Sequence, residues 1–418
     1  MKNNSSANGF SYKKVAEYKN ARAGIIYTPH GKIETPAFIP VATLATLKAL
    51  TPEMARDLGA QALLANAYHL NLRPGPDILE VAGGLGKYMN WPYPTFTDSG
   101  GFQVMSLGSG FKKVIEMDST KILDSMKSDE DVAEGKSRIA FVDEDGVTFR
   151  SHLSGEKLRF TPEISMQIQF KIGADIIFAF DELTTLMNSR KYQEESVDRT
   201  FRWAKRCLVE HNRLKKANPK KPYQALFGVV QGANFMDLRQ KAARQIGSLN
   251  VDGLEFDGFG IGGALEKNIL SDIISWAVDQ LPENKPRHLL GISEIDDLFN
   301  GVASGIDTFD CVSPARVGRN GAVYTPDGRF NIKRSKYLND FGPIFSDCDC
   351  YTCKNFSRSY LCHLIRSKEM LGSTLATIHN ENFIVKLIAN CRKSIIENNF
   401  SQFKDSFLRR YLGKTIYS

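Results

Sequence analysis

Short apolar runs alternate with amphipathic or charged stretches along most of the chain. Pro36–Val41, Ala62–Ala65, Thr95–Asp98 and Asp175–Phe180 read as buried strands, being too short for helices and poor in polar side chains. Ala225–Val230, Gly253–Gly260, Arg287–Gly291 and Gly305–Asp310 continue the series. Between them, helical patterning predicts Pro52–Leu58, Pro162–Ile172, Glu194–Asn212, Met236–Ile246 and Leu270–Gln280. Two of these open on Thr-Pro, at Thr51-Pro52 and Thr161-Pro162, an N-cap followed by proline at the first helical position. Eight strands alternating with helices predict an α/β fold of the (β/α)8 barrel type. Residues 9–34 predict a hairpin cap. Residues 107–160, with a hairpin at Val142–Val147, predict an insertion after the third strand. The barrel with its cap is expected to occupy residues 1–330, and a C-terminal subdomain residues 331–418.

The 418 residues suffice for a large core, and 42% hydrophobic with 24% charged residues excludes a disordered or fibrous chain. The longest apolar stretch, Ile176–Phe180, is far too short for a membrane span, and Met1–Asn8 is polar, with no secretory h-region. Seven cysteines, three of them within six residues, argue for a reducing compartment and a metal site instead of disulfides. A soluble cytoplasmic protein is therefore expected. The net charge of +7 lies entirely in residues 331–418, which carry 14 Lys/Arg against seven acids. A neutral body joined to a basic module predicts a polyanionic partner.

The predicted strands end on polar residues. The third runs into Thr97-Asp98-Ser99-Gly100-Gly101-Phe102-Gln103, and the fourth into Asp181-Glu182. The fifth ends at Gln231-Gly232, the sixth at Gly262-Gly263 and the eighth at Asp310-Cys311. In a barrel these ends share one mouth, where active sites are built. A lone strand-end aspartate is usually a helix cap; three, with a glutamine and a glycine pair, predict a pocket.

Cys348-Asp349-Cys350-Tyr351-Thr352-Cys353 supplies three thiolates, and His379 follows with an imidazole. Three sulfurs and one nitrogen make a closed tetrahedral set for one structural Zn2+ per chain. Cys362 and His363 compete for the fourth position; the apolar setting of His379, between Ile378 and Phe383, favours it. Two motifs mislead. Gly258-Phe259-Gly260-Ile261-Gly262-Gly263 satisfies a dinucleotide fingerprint, but no acid ends the following strand. Asp340-Phe341-Gly342 imitates a kinase signature without its partner motifs.

Taken in order, Phe96–Val104, Phe180-Asp181-Glu182, Gly228–Gly232, Phe256-Asp257-Gly258, Phe309–Val312, Pro314–Gly321 and the Cys3His set resemble the bacterial-type tRNA-guanine transglycosylases, or queuine tRNA-ribosyltransferases, over nearly the whole chain. That resemblance implies a zinc-bearing barrel that exchanges the wobble guanine of G-U-N anticodon tRNAs for a 7-deazaguanine base in queuosine biosynthesis. It implies Asp310 as the nucleophile on ribose C1′ and Asp98 as the general acid/base. Asp181, Gln231, the Gly263 backbone and Ser99 would bind the base, Arg316 and Arg319 the RNA, and the chain would form a homodimer. The chain departs from the best-known bacterial members at Leu183, where they carry cysteine, and at the short Ala264-Leu265-Glu266 segment. Both flank the place of the base's 7-substituent, so 7-aminomethyl-7-deazaguanine and queuine both stand as the incoming base. The competing readings are a non-catalytic tRNA-binding subunit of the same fold and a zinc-assisted hydrolase. Asp98 and Asp310 together speak against the first, the closed metal set against the second.

Overall fold

The computed structural model describes residues 9–102, 140–151, 154–263 and 265–413. The chain begins as β1 (Ser11–Tyr18), β2 (Ala21–Thr28) and β3 (Gly31–Thr35), an antiparallel sheet of three strands where the sequence predicts a two-stranded hairpin. The β2–β3 register sets Ile26 opposite Ile33, and both side chains are fully buried. That shared burial recruits the third strand.

Eight parallel strands follow: β4 (Ala37–Pro40), β5 (Leu63–Ala65), β6 (Thr95–Thr97), then, after an intervening antiparallel sheet, five more. The intervening sheet holds β7 (Ala140–Val142), β8 (Val147–Arg150) and β9 (Lys157–Phe160), so the hairpin at 142–147 is present; residues 103–139, 152 and 153 lie outside the described residues. The barrel resumes with β10 (Ile176–Phe178), β11 (Ala225–Val230), β12 (Gly258–Ile261), β13 (Arg287–Leu289) and β14 (Thr308–Cys311). The order β4-β14-β13-β12-β11-β10-β6-β5 closes through a parallel bridge between Val41 and Leu64, with Ala42 N donating to the Leu64 carbonyl at 2.7 Å. This is the expected (β/α)8 barrel.

The sequence places the sixth strand too early. Gly253 turns the chain in the left-handed region (φ +83°), and the Asp257 carboxylate accepts from Leu226 N and Tyr223 OH, both at 2.9 Å. Pairing with β11 starts only at Gly258. Gly258 and Gly260 are barrel residues, not a nucleotide loop. A Cβ at Gly258 would lie 2.5 Å from the Phe227 ring, and one at Gly260 3.0 Å from Phe178. The glycines thus leave room for the phenylalanines that fill the interior.

Phe96, Phe178 and Phe227 form the inner core with Ile176 and Val229, and the cap adds Phe10, Ile26 and Ile33 beneath them. Arg22 pairs with the buried Asp307 just before β14, which also accepts from Tyr12 OH at 2.8 Å. The cap therefore seals the N-terminal end of the barrel, and the C-terminal end remains the open one. Outside the strands the largest apolar layer lies under the helices. Pro162–Ile172 is a helix as predicted, capped by Thr161; Arg190–Ala217 is longer than the pattern predicts because its charged ends carry no apolar periodicity.

After β14 come the helix Ser313–Arg319 and the hairpin β15 (Ala322–Thr325) and β16 (Gly328–Asn331). Among the described residues four α-helices follow: Tyr351–Asn355, Arg358–Arg366, Met370–Ile396 and Phe400–Tyr411. Val323, Ile332, Ile344, Leu361, Leu375 and Ala376 form a third, separate apolar cluster there. The 27-residue helix Met370–Ile396 joins the two regions, with Leu375 and Ala376 in the small cluster and Leu387, Ile388 and Cys391 in the large one. Among the described residues no helix is long and apolar enough to cross a membrane.

Candidate functional site

Because the eight strands are parallel, their C-terminal ends form one rim, and the chemistry-bearing side chains stand on it. Asp98 follows β6. Its Oδ1 accepts from Ala67 N (2.9 Å) and Gly100 N (3.2 Å), and the Asn66 amide donates to Oδ2. Asn66 directly follows β5 and turns its own Oδ1 to His69 N at 3.0 Å, capping the helix Ala67–Leu72. One side chain thereby fixes both a helix start and a carboxylate.

Asp310 lies within β14, on the same rim, with only β4 and β5 between its strand and that of Asp98. Its Oδ1 receives His288 Nε2 and Gly291 N, each at 3.0 Å, while Oδ2 has no hydrogen bond among the described residues. His288 is fully buried on β13 between the rings of Phe96 and Phe178, with Nδ1 2.8 Å from Thr308 Oγ1. A carboxylate only accepts, so Nε2 carries the proton and, in the neutral ring, Nδ1 accepts from the threonine hydroxyl. The arrangement locks one oxygen and leaves the other available at a partly open position.

Asp181, after β10, is the buried member. It accepts from Ser99 Oγ at 3.2 Å and Gln231 Nε2 at 2.5 Å. Burial pushes its carboxyl up to about 6 although both hydrogen bonds favour the ionised form. Gln231 Oε1 is buried without a hydrogen-bond partner among the described residues. Gly263 stands beside it in the left-handed region (φ +105°), where a Cβ would come within 2.6 Å of that oxygen. Only glycine fits. Ser99, Asp181, Gln231 and Gly263 thus meet as predicted, and Ser99 adjoins Asp98 in the chain. Leu183 is half-buried nearby in sequence, Glu266 accepts from Asn234 Nδ2 at 2.5 Å, and Ala264 lies outside the described residues, as do Gln103 and Val104. Arg316 is exposed and Arg319 half-buried on the helix that follows β14.

Sequence reasoning misses four supporting residues. Asn66 is a polar strand end like the others, and the rule applied to the second strand finds it. Thr308 and His288 carry the signal of polar side chains within buried strands. Arg239 has none, since its meaning is purely tertiary. It is fully buried and donates to the carbonyls of Ala233 (2.8 Å), Val230 (3.1 Å) and Gly262 (2.7 Å), tying the ends of β11 and β12 together around Gln231.

The second constellation is remote in sequence from the rim. Cys348, Cys350, Cys353 and His379 bring their ligand atoms within 4.8 Å of one another, a group that can hold a metal ion. His379 Nδ1 lies 3.7, 3.6 and 3.3 Å from the three sulfurs, while its Nε2 donates to the Tyr324 carbonyl at 2.7 Å. That outer bond fixes the tautomer with the Nδ1 lone pair toward the sulfurs. Cys362 sits apart, its Sγ 3.8 Å from the Arg334 carbonyl, and neither it nor His363 joins the group.

Residues 17–413 match the family model described as queuine tRNA-ribosyltransferase. Proteins named queuine tRNA-ribosyltransferase are similar throughout. That of Caldanaerobacter subterraneus subsp. tengcongensis is 44% identical, covering 96% of each chain. Those of Pelotomaculum thermopropionicum (43%; 95% of this chain, 97% of the relative) and Bacillus subtilis (41%; 96% of each) are comparable. With eight parallel strands presenting these carboxylates on one rim, and a Cys3His group beyond them, the chain belongs to the queuine tRNA-ribosyltransferase family.

Proposed function

We propose that the protein is a tRNA-guanine transglycosylase. It replaces the wobble guanine of G-U-N anticodon tRNAs with a 7-deazaguanine base, 7-aminomethyl-7-deazaguanine or queuine, in queuosine biosynthesis. The observation that carries the reading is the pairing of Asp98 and Asp310 on one rim beside the Asp181–Gln231–Ser99 cluster. A non-catalytic subunit would need neither carboxylate.

Asp310 Oδ2 attacks ribose C1′ as the C1′–N9 bond breaks, and His288 and Gly291 keep Oδ1 turned away so that Oδ2 meets the sugar. The departing guanine takes a proton from Asp98. The incoming base gives its N9 proton back to Asp98 and attacks C1′, and the ester to Asp310 breaks. The product is a nucleoside again, so no oxidant or nucleotide is consumed. Asp181 accepts from the N–H edge of a guanine-like base, while the Gln231 amide and the Gly263 backbone meet its carbonyl; Ser99 braces Asp181. Arg316 and Arg319 neutralise phosphates near the replaced nucleotide, and the basic subdomain 331–418, packed on the 1–330 barrel, extends the RNA contact.

The Cys3His group suits Zn2+. Sulfur at about 2.3 Å and nitrogen at about 2.0–2.1 Å in a tetrahedron place S and N about 3.6 Å apart, against 3.3–3.7 Å here. With all four positions filled by protein, a bound ion would supply folding energy to the subdomain and leave the reaction to the rim carboxylates. Exposed Phe341, Tyr351 and Tyr360 beside it suit a homodimer contact.

The test is a base-exchange assay with radiolabelled guanine in tRNA bearing a G-U-N anticodon, repeated with each 7-deazaguanine base. Release of label supports the reading, and absence of release with every base refutes it.

A further inference from the structure

Beyond the rim, the region after β14 contains a cavity of about 400 Å³ that none of the roles above employs. Its volume lies within the range of small-molecule sites, about 300–1,000 Å³. Arg329, Phe330, Lys336, Tyr337, Phe345 and Arg358 line it.

The charges at its wall sort into two kinds. Asp340 is neutralised by Arg358 at 2.8 Å, and Asp327 by two guanidinium nitrogens of Arg410, Nε at 2.7 Å and Nη2 at 2.9 Å. Lys336 has no ion pair among the described residues and rests over the Tyr337 ring at 4.9 Å. Arg329 is exposed and reaches an acid, Glu294, only at 4.0 Å. The cavity thus presents one cation without an ion pair among the described residues, Lys336, and a second, Arg329, held only by its 4.0 Å pair with Glu294. Its apolar wall is aromatic: Phe330 and Tyr337 pack with centroids 4.9 Å apart, and the Arg358 guanidinium lies 6.0 Å over Phe330. Arg358 Nε is buried with no hydrogen-bond partner among the described residues. Glu294, which Arg329 approaches, begins the helix Ile295–Ala303 three residues after Gly291, the donor to Asp310. Arg329 thus ties the wall of the cavity to the segment that carries the donor to Asp310.

Flat aromatic and guanidinium surfaces with flanking cations are what an unstacked nucleotide needs, the base against the rings and the phosphate at the ammonium. We propose that this cavity is a second RNA subsite, holding one unpaired nucleotide of the bound tRNA, with its phosphate at Lys336 and Arg329 and its base against the half-buried Phe330, which the buried Tyr337 backs. The inference rests on tRNA being the substrate.

Lys336 is exposed, so Lys336→Glu and Arg329→Glu will fold. Each should raise KM for tRNA about tenfold, leave kcat and KM for guanine unchanged, and lower the slope of log affinity against log salt by about one. Lys368→Glu, the same charge change on the same module away from the cavity, should change KM for tRNA less than twofold. Direct tRNA binding is measured alongside exchange, so a protein that binds tRNA Lys336-dependently but exchanges no base would fail the catalytic reading alone. An equal loss in Lys336→Glu and Lys368→Glu would reduce the cavity to general surface charge and overturn the subsite. A Lys336-dependent site for uridine monophosphate that tRNA does not compete for would overturn the RNA assignment in favour of a free nucleotide.

Discussion

Asp181→Asn should make the protein more stable and stop it working. Burial lifts the Asp181 carboxyl from 3.8 to about 6. A folded pKa above the unfolded one means stability that is present at low pH and is lost as pH rises through about 6. The shift of about two units amounts to roughly 3 kcal/mol between pH below 4 and pH 8, of which about 1.5 kcal/mol falls between pH 5 and 8. Asparagine has no charge to bury. Its oxygen can accept from Ser99 Oγ, and its amide can donate to Gln231 Oε1, now unpartnered, once the Gln231 amide turns over. Urea unfolding of both proteins at pH 5, 6, 7 and 8 should therefore show the variant gaining on the wild type by roughly 1–2 kcal/mol as pH rises across that window. Guanine exchange should fall by two orders of magnitude or more in the variant, because an amide nitrogen then faces the base's N–H donors. A stability gap that stays constant with pH, or that favours the wild type increasingly at pH 8, would refute the account of Asp181 as a carboxylate whose burial outweighs its two hydrogen bonds.

Further outcomes follow from the other groups. Asp310→Asn should lose exchange by several orders of magnitude while still binding tRNA; a denaturant-resistant adduct with tRNA, trapped with an unreactive guanine analogue, should form in wild type and be missing in this variant. His288→Ala empties a fully buried site between Phe96 and Phe178, so it should cost about 2–4 kcal/mol in denaturant unfolding and also lower kcat. Elemental analysis should find one zinc per chain, and Cys350→Ala should lose it; full retention would remove Cys350 from the ligand set. Affinity for tRNA should drop steeply with salt, more so for the wild type than for variants stripped of charge within 331–418, and light scattering should report a dimer.

Much of this molecule is legible in one dimension. Parallel strands buried on both faces read as unbroken apolar runs, which is why Ala225–Val230 coincides with β11 from end to end. Thr161-Pro162 starts a helix through bonds made within four residues, so its start is local information. Asp98, Asp181 and Asp310 announce themselves because a polar residue at the end of an apolar strand needs a reason, and the metal group because thiolates seldom crowd together without an ion. The start of β12 eludes the pattern because Gly253 and Asp257 serve a turn and a bond to a neighbouring strand, neither visible in periodicity. Tertiary structure alone decides the rest. It selects His379 over Cys362 and His363 by bringing a point on a 27-residue helix against a loop thirty residues earlier. It also sets His288 behind Asp310 and Arg239 behind Gln231, since a supporting hydrogen bond depends on which strands become neighbours. Chemistry-bearing residues are chosen by type and show in the sequence; the partners that aim them are chosen by position, and position exists only once the barrel has closed.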